Sequence, residues 1–196
     1  MNLFEQLYEK TIGNLEKNLP AYLTYHDPNH TRYVLEKTIL IAEKEKVSEH
    51  ELFLLKVAAL YHDTGHIKSS ENHEAESCRI AMQDLAELGF DETEIDQICN
   101  MIMATKIPQQ PKSNIEGILA DADLEYLGTT EFDVISDKLL AELKHFRPEL
   151  TPRQWYNMQI DFISNHKYHT KYCQTHYESS KLKNLERIQE KARLLF

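Results

Sequence analysis

The sequence predicts an all-α protein, a single bundle of about eight to ten short helices, on the strength of three observations. Apolar residues recur at helical spacing between start and stop signals along the whole chain. Only 5 Gly and 6 Pro occur in 196 residues, too few for a turn-dense β-sandwich. No stretch alternates apolar and polar residues long enough to make a useful strand. Apolar residues make up 41% and charged residues 28%, which suits one packed domain over residues 1–196 and argues against wholesale disorder.

The first helix spans Asn2 to Leu19, carries Leu3, Leu7, Ile12 and Leu15, and stops at Pro20. His26 to His30 reads as a loop turning into a second helix, which runs on through Val34, Leu35, Ile39 and Ile41. Pro28 suits its first position because the missing N–H has no partner there. Ser48 and Glu51 form a capping box opening the apolar segment Leu52 to His62, and Gly65 reads as the flexible residue just past it. Asn72 caps a helix bearing Cys78, Ile80, Met82, Leu85 and Leu88, closed by Gly89. Asp91 and Glu94 repeat the capping box before Ile95, Ile98, Ile102 and Met103, and Pro108 and Pro111 mark a loop from Ile107 to Ser113. Further helices follow from Ile115 to Leu127, from Thr130 to about Phe146, after Thr151-Pro152-Arg153-Gln154, and from about Glu178 to Leu195. Residues of about 20–130 hold the chemistry-bearing core, and the helices of 130–196 are expected to pack over it.

Lys+Arg 22 against Asp+Glu 32 gives a net charge of −10, which argues against coating nucleic acid, since phosphate contacts need a local surplus of Lys and Arg. A small anionic substrate stays open, because a bound metal reverses the local field. No run approaches the roughly 18 apolar residues of a spanning helix; the best, Leu52 to Tyr61, is interrupted by Lys56, so no membrane role is expected. Met1 to Leu7 lacks the basic and apolar regions of a secretory signal. Cys78, Cys99 and Cys173 are odd in number and form no CxxC pair, so they read as reduced thiols, and a cytoplasmic location is expected.

The chemistry gathers at three places. His62-Asp63 ends a nearly all-apolar helix, where a charged pair is costly unless something compensates it. A divalent metal would do so, since imidazole nitrogen and carboxylate oxygen are both competent ligands; the alternative is a capping histidine beside a solvated aspartate. Tyr25 to His30 puts His30 in the first turn of a helix and His26 just before it, so one imidazole can face a core site while the other stands at its rim. Asp121 and Asp123 are two residues apart, so only one shares a face with the core. Asp123 falls with Leu119, Ala120 and Leu127, and Asp121 is expected to stay wet or to support the site from outside it.

The order His30, His62-Asp63, Asp123, with Tyr25-His26 before the first, an apolar helix and Gly65 around the second, and Ala122 and Leu124 flanking the third, resembles the H…HD…D signature of the HD-domain metal-dependent phosphohydrolase superfamily. The resemblance covers about half the chain. It implies an all-helical fold and one divalent ion (Mn, Mg, Co, Ni, Fe or Zn) held by His30, His62, Asp63 and Asp123, with His26 as proton donor in the phosphodiesterase branch. Two imidazoles and two carboxylates leave open positions on a six-coordinate ion for water and a phosphoryl oxygen. In that arrangement Asp63 accepts a proton from the water and His26 protonates the departing oxygen. The expected activity is hydrolysis of a phosphoester or phosphoanhydride of a small phosphorylated molecule, with a nucleotide as the favoured substrate. Phosphodiesterase and nucleotide phosphohydrolase chemistry compete, and His26 favours the former because an alkoxide needs a proton more than pyrophosphate does.

Two other classes stay open: a non-catalytic helical module stapled by its metal, and an HD-type iron oxygenase. Dinuclear relatives often carry histidines where this chain has Met103-Ala104-Thr105-Lys106, which argues against the oxygenase and against a second ion. Further expectations put His66, His73 and Lys106 on the substrate. His166, His169, Cys173 and His176 imitate a zinc-ligand string, but on one straight helix they span about 15 Å at roughly 1.5 Å per residue, too far for one ion with bonds of about 2 Å. The stretch from Trp155 to Thr170 reads instead as a helix over the pocket, with Tyr168 or Thr170 reaching the substrate.

Overall fold

A helix that is apolar on every side has to be surrounded by other elements, and the segment ending at Tyr61 organises the fold for that reason. The computed structural model describes residues 2–195, and among them ten α-helices follow one another. They are α1 (Leu3–Asn18), α2 (Pro28–Glu45), α3 (Glu49–Tyr61), α4 (His73–Glu87), α5 (Glu92–Ala104), α6 (Asn114–Leu124), α7 (Phe132–Phe146), α8 (Pro152–Asn165), α9 (Lys171–His176) and α10 (Glu178–Leu195). Two single turns of 3-10 helix, Thr64–Ile67 and Glu125–Gly128, follow α3 and α6. No strand occurs among the described residues, and the fold is all-α.

Leu54, Leu55 and every residue from Val57 to Tyr61 are buried in α3, with α1, α2, α5 and α6 packed around it. The capping boxes of Ser48–Glu51, Asp91–Glu94 and Thr151–Gln154 all form, as does one at Asn2–Glu5 that the sequence reading passed over. Pro28 occupies the first turn of α2, where the Asp27 carboxylate accepts the His30 N–H at 2.8 Å. A second apolar cluster, with Tyr25, Leu124, Tyr126, Leu127, Phe132, Ile163 and Ile188, joins α7, α8 and α10 to the end of α6. No helix among the described residues is long and apolar enough to cross a membrane.

Three local expectations need correction. Asp121 is neither wet nor a support for the site residues: it is fully buried and accepts the backbone N–H groups of His169 and Thr170, both at 2.8 Å, and the Thr170 hydroxyl at 2.7 Å. That clamp bends the chain, so α8 stops at Asn165 and α9 starts only at Lys171; the stretch from His166 to His176 is not one helix. Gly65 does not serve as a flexible stop, because its φ is not positive, whereas Gly89 at φ +86° does end α4 in that way. Gly65 is there for proximity: a Cβ on it would lie 1.9 Å from the His73 carbonyl oxygen and 2.8 Å from the Ser77 nitrogen.

Two glycine substitutions should therefore change stability in opposite directions. Gly65→Ala should lower the unfolding free energy by about 1–3 kcal/mol, because backbone on both sides must move. Gly13→Ala, mid-helix with nothing within 4 Å of the added methyl, should raise it by about 0.5–1 kcal/mol. Urea denaturation of both variants measures the pair, and equal effects would contradict this account of Gly65.

Candidate metal centre

The buried α3 carries its C-terminal residues into the interior, where His62 is fully buried and Asp63 nearly so. Ser77 of α4 holds the turn between them and the rest of the chain: its hydroxyl donates to the His62 carbonyl at 2.7 Å and accepts the Gly65 N–H at 2.8 Å. The close approach at Gly65 is what lets α4 reach that far. His30 arrives from the first turn of α2 and Asp123 from the last turn of α6.

Four side chains from two helices and the His62–Asp63 turn converge. His30 Nε2 lies 3.1 Å from Asp123 Oδ1, 3.4 Å from His62 Nε2 and 3.4 Å from Asp63 Oδ2. His62 Nε2 lies 3.2 Å from Asp63 Oδ2 and 3.8 Å from Asp123 Oδ1. With bonds of about 2.1 Å to a common ion, neighbouring ligand atoms lie ~3 Å apart and opposite ones ~4.2 Å, and these five separations fall within that range. The tautomer points the same way. His62 Nδ1 donates to the Ala59 carbonyl at 2.8 Å, so its proton is on Nδ1 and Nε2 presents a lone pair to Asp63 Oδ2. Asp63 Oδ2 is buried without a hydrogen-bond donor. Facing lone pairs repel unless a proton or a cation lies between them, and the two imidazoles and two carboxylates at these separations fit a divalent ion.

The local field has the sign such an ion requires. Burial lowers the His62 pKa, but Asp63 and Asp123 outweigh it and push the ring up to about 9. Burial raises the Asp63 carboxyl, yet His62, His26 and His66 hold it well below the usual carboxylate range.

His26 stands at the rim with a partner that sequence reasoning missed. Glu142 of α7, buried among apolar neighbours, accepts His26 Nδ1–H at 2.5 Å and the backbone N–H groups of Tyr25 and His26 at 2.9 and 3.1 Å. Burial lowers the His26 pKa, but the Glu142 hydrogen bond and the Asp63 charge prevail and raise it overall. Glu142 falls between Leu139 and Leu143 on the apolar stripe of α7, and that misplaced carboxylate was the available signal.

The three side chains expected on the substrate part company. His66 is the middle ring of a stack, 4.2 Å from His26 and 4.0 Å from His73, and it does not line the adjoining cavity. Both His66 nitrogens are buried without partners, and burial pushes its pKa down to about 3. His73 does line the cavity, with Nε2 3.6 Å from Asp63 Oδ1. Lys106 is exposed, and its neighbours Thr105 and Ile107 form the wall instead. Among the described residues, two groups bring three ligand atoms within 4.8 Å of one another: His30, His62 and Asp63, and also His26, Asp63 and His66. Asp63 is common to both, so a second candidate site exists away from residues 103–106.

The cluster opens into a cavity of about 270 Å³. His26, Asp63, His73, Glu74 and Asp123 stand on its wall, with Tyr25 and Tyr126 beside them. Trp155, Gln159 and Phe162 of α8 line it as well, but Tyr168 and Thr170 do not: the Tyr168 hydroxyl donates to the Glu125 carbonyl and Thr170 to Asp121. The histidine–cysteine string from His166 to His176 is dispersed over separate partners, among them Lys181 for His166, Gln109 for His169 and the Tyr172 carbonyl for His176.

Residues 29–125 match the family model described as HD domain. A crystal structure described as a predicted HD superfamily hydrolase from an uncultured Thermotogales bacterium resembles the chain over 100% of both lengths, at 20% identity and a TM-score of 0.64. The crystal structure of Bacillus subtilis YpgQ in complex with ADP resembles it over 96% of this chain and 97% of that one, at 15% identity and a TM-score of 0.59. Both likenesses concern the fold. No curated protein matches the sequence.

Metal analysis of variants tests the cluster. Asp123→Ala and His62→Ala should each lose most of the bound ion, together with part of the thermal stability that the ion confers. Cys173→Ser and His169→Ala should keep wild-type stoichiometry. Loss of an equivalent of zinc from Cys173→Ser would restore the string as a site.

Proposed function

We propose that this chain, an HD-domain protein through residues 29–125, is a metal-dependent phosphohydrolase acting on a small phosphorylated molecule. One observation carries the reading: the His30, His62, Asp63 and Asp123 cluster faces the same cavity as a His26 imidazole whose other nitrogen is held by Glu142. A divalent ion bound there would supply Lewis acidity toward a phosphoryl oxygen and lower the pKa of water. The protein's part is separate and derivable. His30 and His62 offer ring nitrogens, and Asp63 and Asp123 offer carboxylate oxygens. Glu142 fixes His26 with its proton on Nδ1 and raises the ring's pKa, which favours a proton on Nε2 of a ring that lines the cavity, from where it can be given to a leaving oxygen. Asp63 Oδ1, on the wall and away from His62, is the base within reach of an attacking water.

Beyond holding the Tyr25 and His26 backbone, Glu142 raises the pKa of a rim histidine, which a non-catalytic module stapled by its ion does not need, so the pair weighs against that alternative. The ADP bound to YpgQ supports a nucleotide among the candidate substrates. Turnover of bis(p-nitrophenyl) phosphate that needs added Mn²⁺ and stops with EDTA is the direct test, and its absence under every divalent ion would contradict the proposal.

The proton donor can be separated from a ligand. His26→Ala should keep the metal and lose roughly 10²–10⁴-fold in turnover of esters of high-pKa alcohols, with a much smaller loss on p-nitrophenyl esters. Loss of metal would make His26 a ligand together with Asp63 and His66. The pH profile gives an independent reading. His26 acts protonated, so activity falls as pH rises through its raised pKa, and Glu142→Gln should move that alkaline limb to lower pH. A limb that stays in place would remove Glu142 from the donor's control.

A further inference from the structure

The wall of the cavity is sharply divided. Asp63, Glu74 and Asp123 put three carboxylates at one end, and Phe132, Leu143, Trp155, Met158, Phe162 and Ile163 of α7 and α8 supply most of the other. Thr105, Ser136 and Gln159 add uncharged polar groups. Among the described residues, no lysine or arginine lines it. Lys167 belongs to a separate depression that shares only Ile107 and Phe162 with the cavity, so it flanks the apolar side and not the carboxylate end.

Charge and solvation then select the ligand. A phosphate monoester carries about −1.5 to −2 at pH 7, each further phosphate adds to that, and proteins match such chains with Arg or Lys. A divalent ion set against three carboxylates leaves no positive surplus here. His26 adds none, because Glu142 already balances it. A second or third phosphate would lie against carboxylates or against Phe132 and Trp155, losing its hydration without a counter-charge. An alkyl or aromatic group on the same wall leaves water for well-packed apolar surface.

Resting on the phosphohydrolase reading, we propose that the substrate is an ester of a single phosphate with an apolar alkyl or aromatic body lying against α7 and α8, and that nucleoside di- and triphosphates are poor substrates. Ser136 and Gln159 give that body two polar contacts on the otherwise apolar side.

Trp155 is the chain's only tryptophan and stands on the wall, so its fluorescence reports what enters. The Mg²⁺-loaded wild-type protein is titrated with hexyl phosphate and with ADP, and phosphate release is followed from hexyl phosphate, ADP and ATP. Hexyl phosphate should bind at least ten-fold more tightly than ADP and show at least ten-fold higher kcat/KM than ADP or ATP. Leu143→Lys, which adds a cation to the half-buried wall, should narrow that ratio at least ten-fold. Equal or better binding or turnover of ADP or ATP, or no response of Trp155 to hexyl phosphate, would overturn the proposal. Selective binding of hexyl phosphate with no hydrolysis of any ester would instead overturn the phosphohydrolase reading and leave the cavity's selectivity standing.

Discussion

The structure depends on an electrostatic conflict at the end of its most apolar helix. His62 has committed its Nδ1 proton to the Ala59 carbonyl, so in the neutral ring Nε2 faces the carboxylate of Asp63 as one lone pair facing another, 3.2 Å apart and out of water. His30 and Asp123 bring two more electron-rich atoms to the same point. Burying such groups costs several kcal/mol unless a positive charge joins them. Either a proton on His62 or a metal ion resolves the conflict, and His30, His62 and Asp63 already bring three ligand atoms within 4.8 Å of one another for such an ion.

Much of the remaining architecture keeps those atoms in place. The all-round burial of α3 fixes the axis along which His62 and Asp63 enter the interior. Ser77 and the near-contact at Gly65 tie the following turn to α4. Asp121, one turn-face away from Asp123 on α6, points outward from the site and clamps His169 and Thr170. Two carboxylates two residues apart on one helix thus do unrelated work: one faces the cluster, and the other fastens the C-terminal segment. The same C-terminal half closes the cavity with α7 and α8, and α7 supplies Glu142 to the rim.

What was legible in the sequence is what local physics determines. Capping boxes, the first-turn proline and helical spacing gave the elements because each involves residues within four positions of one another. His30, His62, Asp63 and Asp123 stood out because their residue types are costly where the apolar pattern puts them, and the structure brings these four together. Features set by distant contacts were not legible. Glu142 meets His26 across 116 positions, and Thr170 meets Asp121 across 49, so the misplaced carboxylate of α7 does not reveal its partner and the break after Asn165 has no local signature. His66 follows His62 by four positions and was expected on the substrate, but the 3-10 turn carries it into the stack with His26 and His73.

The account stands most directly on the nature of the occupant of the His62–Asp63 conflict. Pulsed EPR of the wild-type protein loaded with Mn²⁺ reads the ligand atoms themselves. The account predicts one tightly held ion per chain with hyperfine coupling to two imidazole nitrogens, those of His30 and His62. An Mn²⁺ signal without nitrogen coupling, or an ion that washes off in desalting, would contradict it.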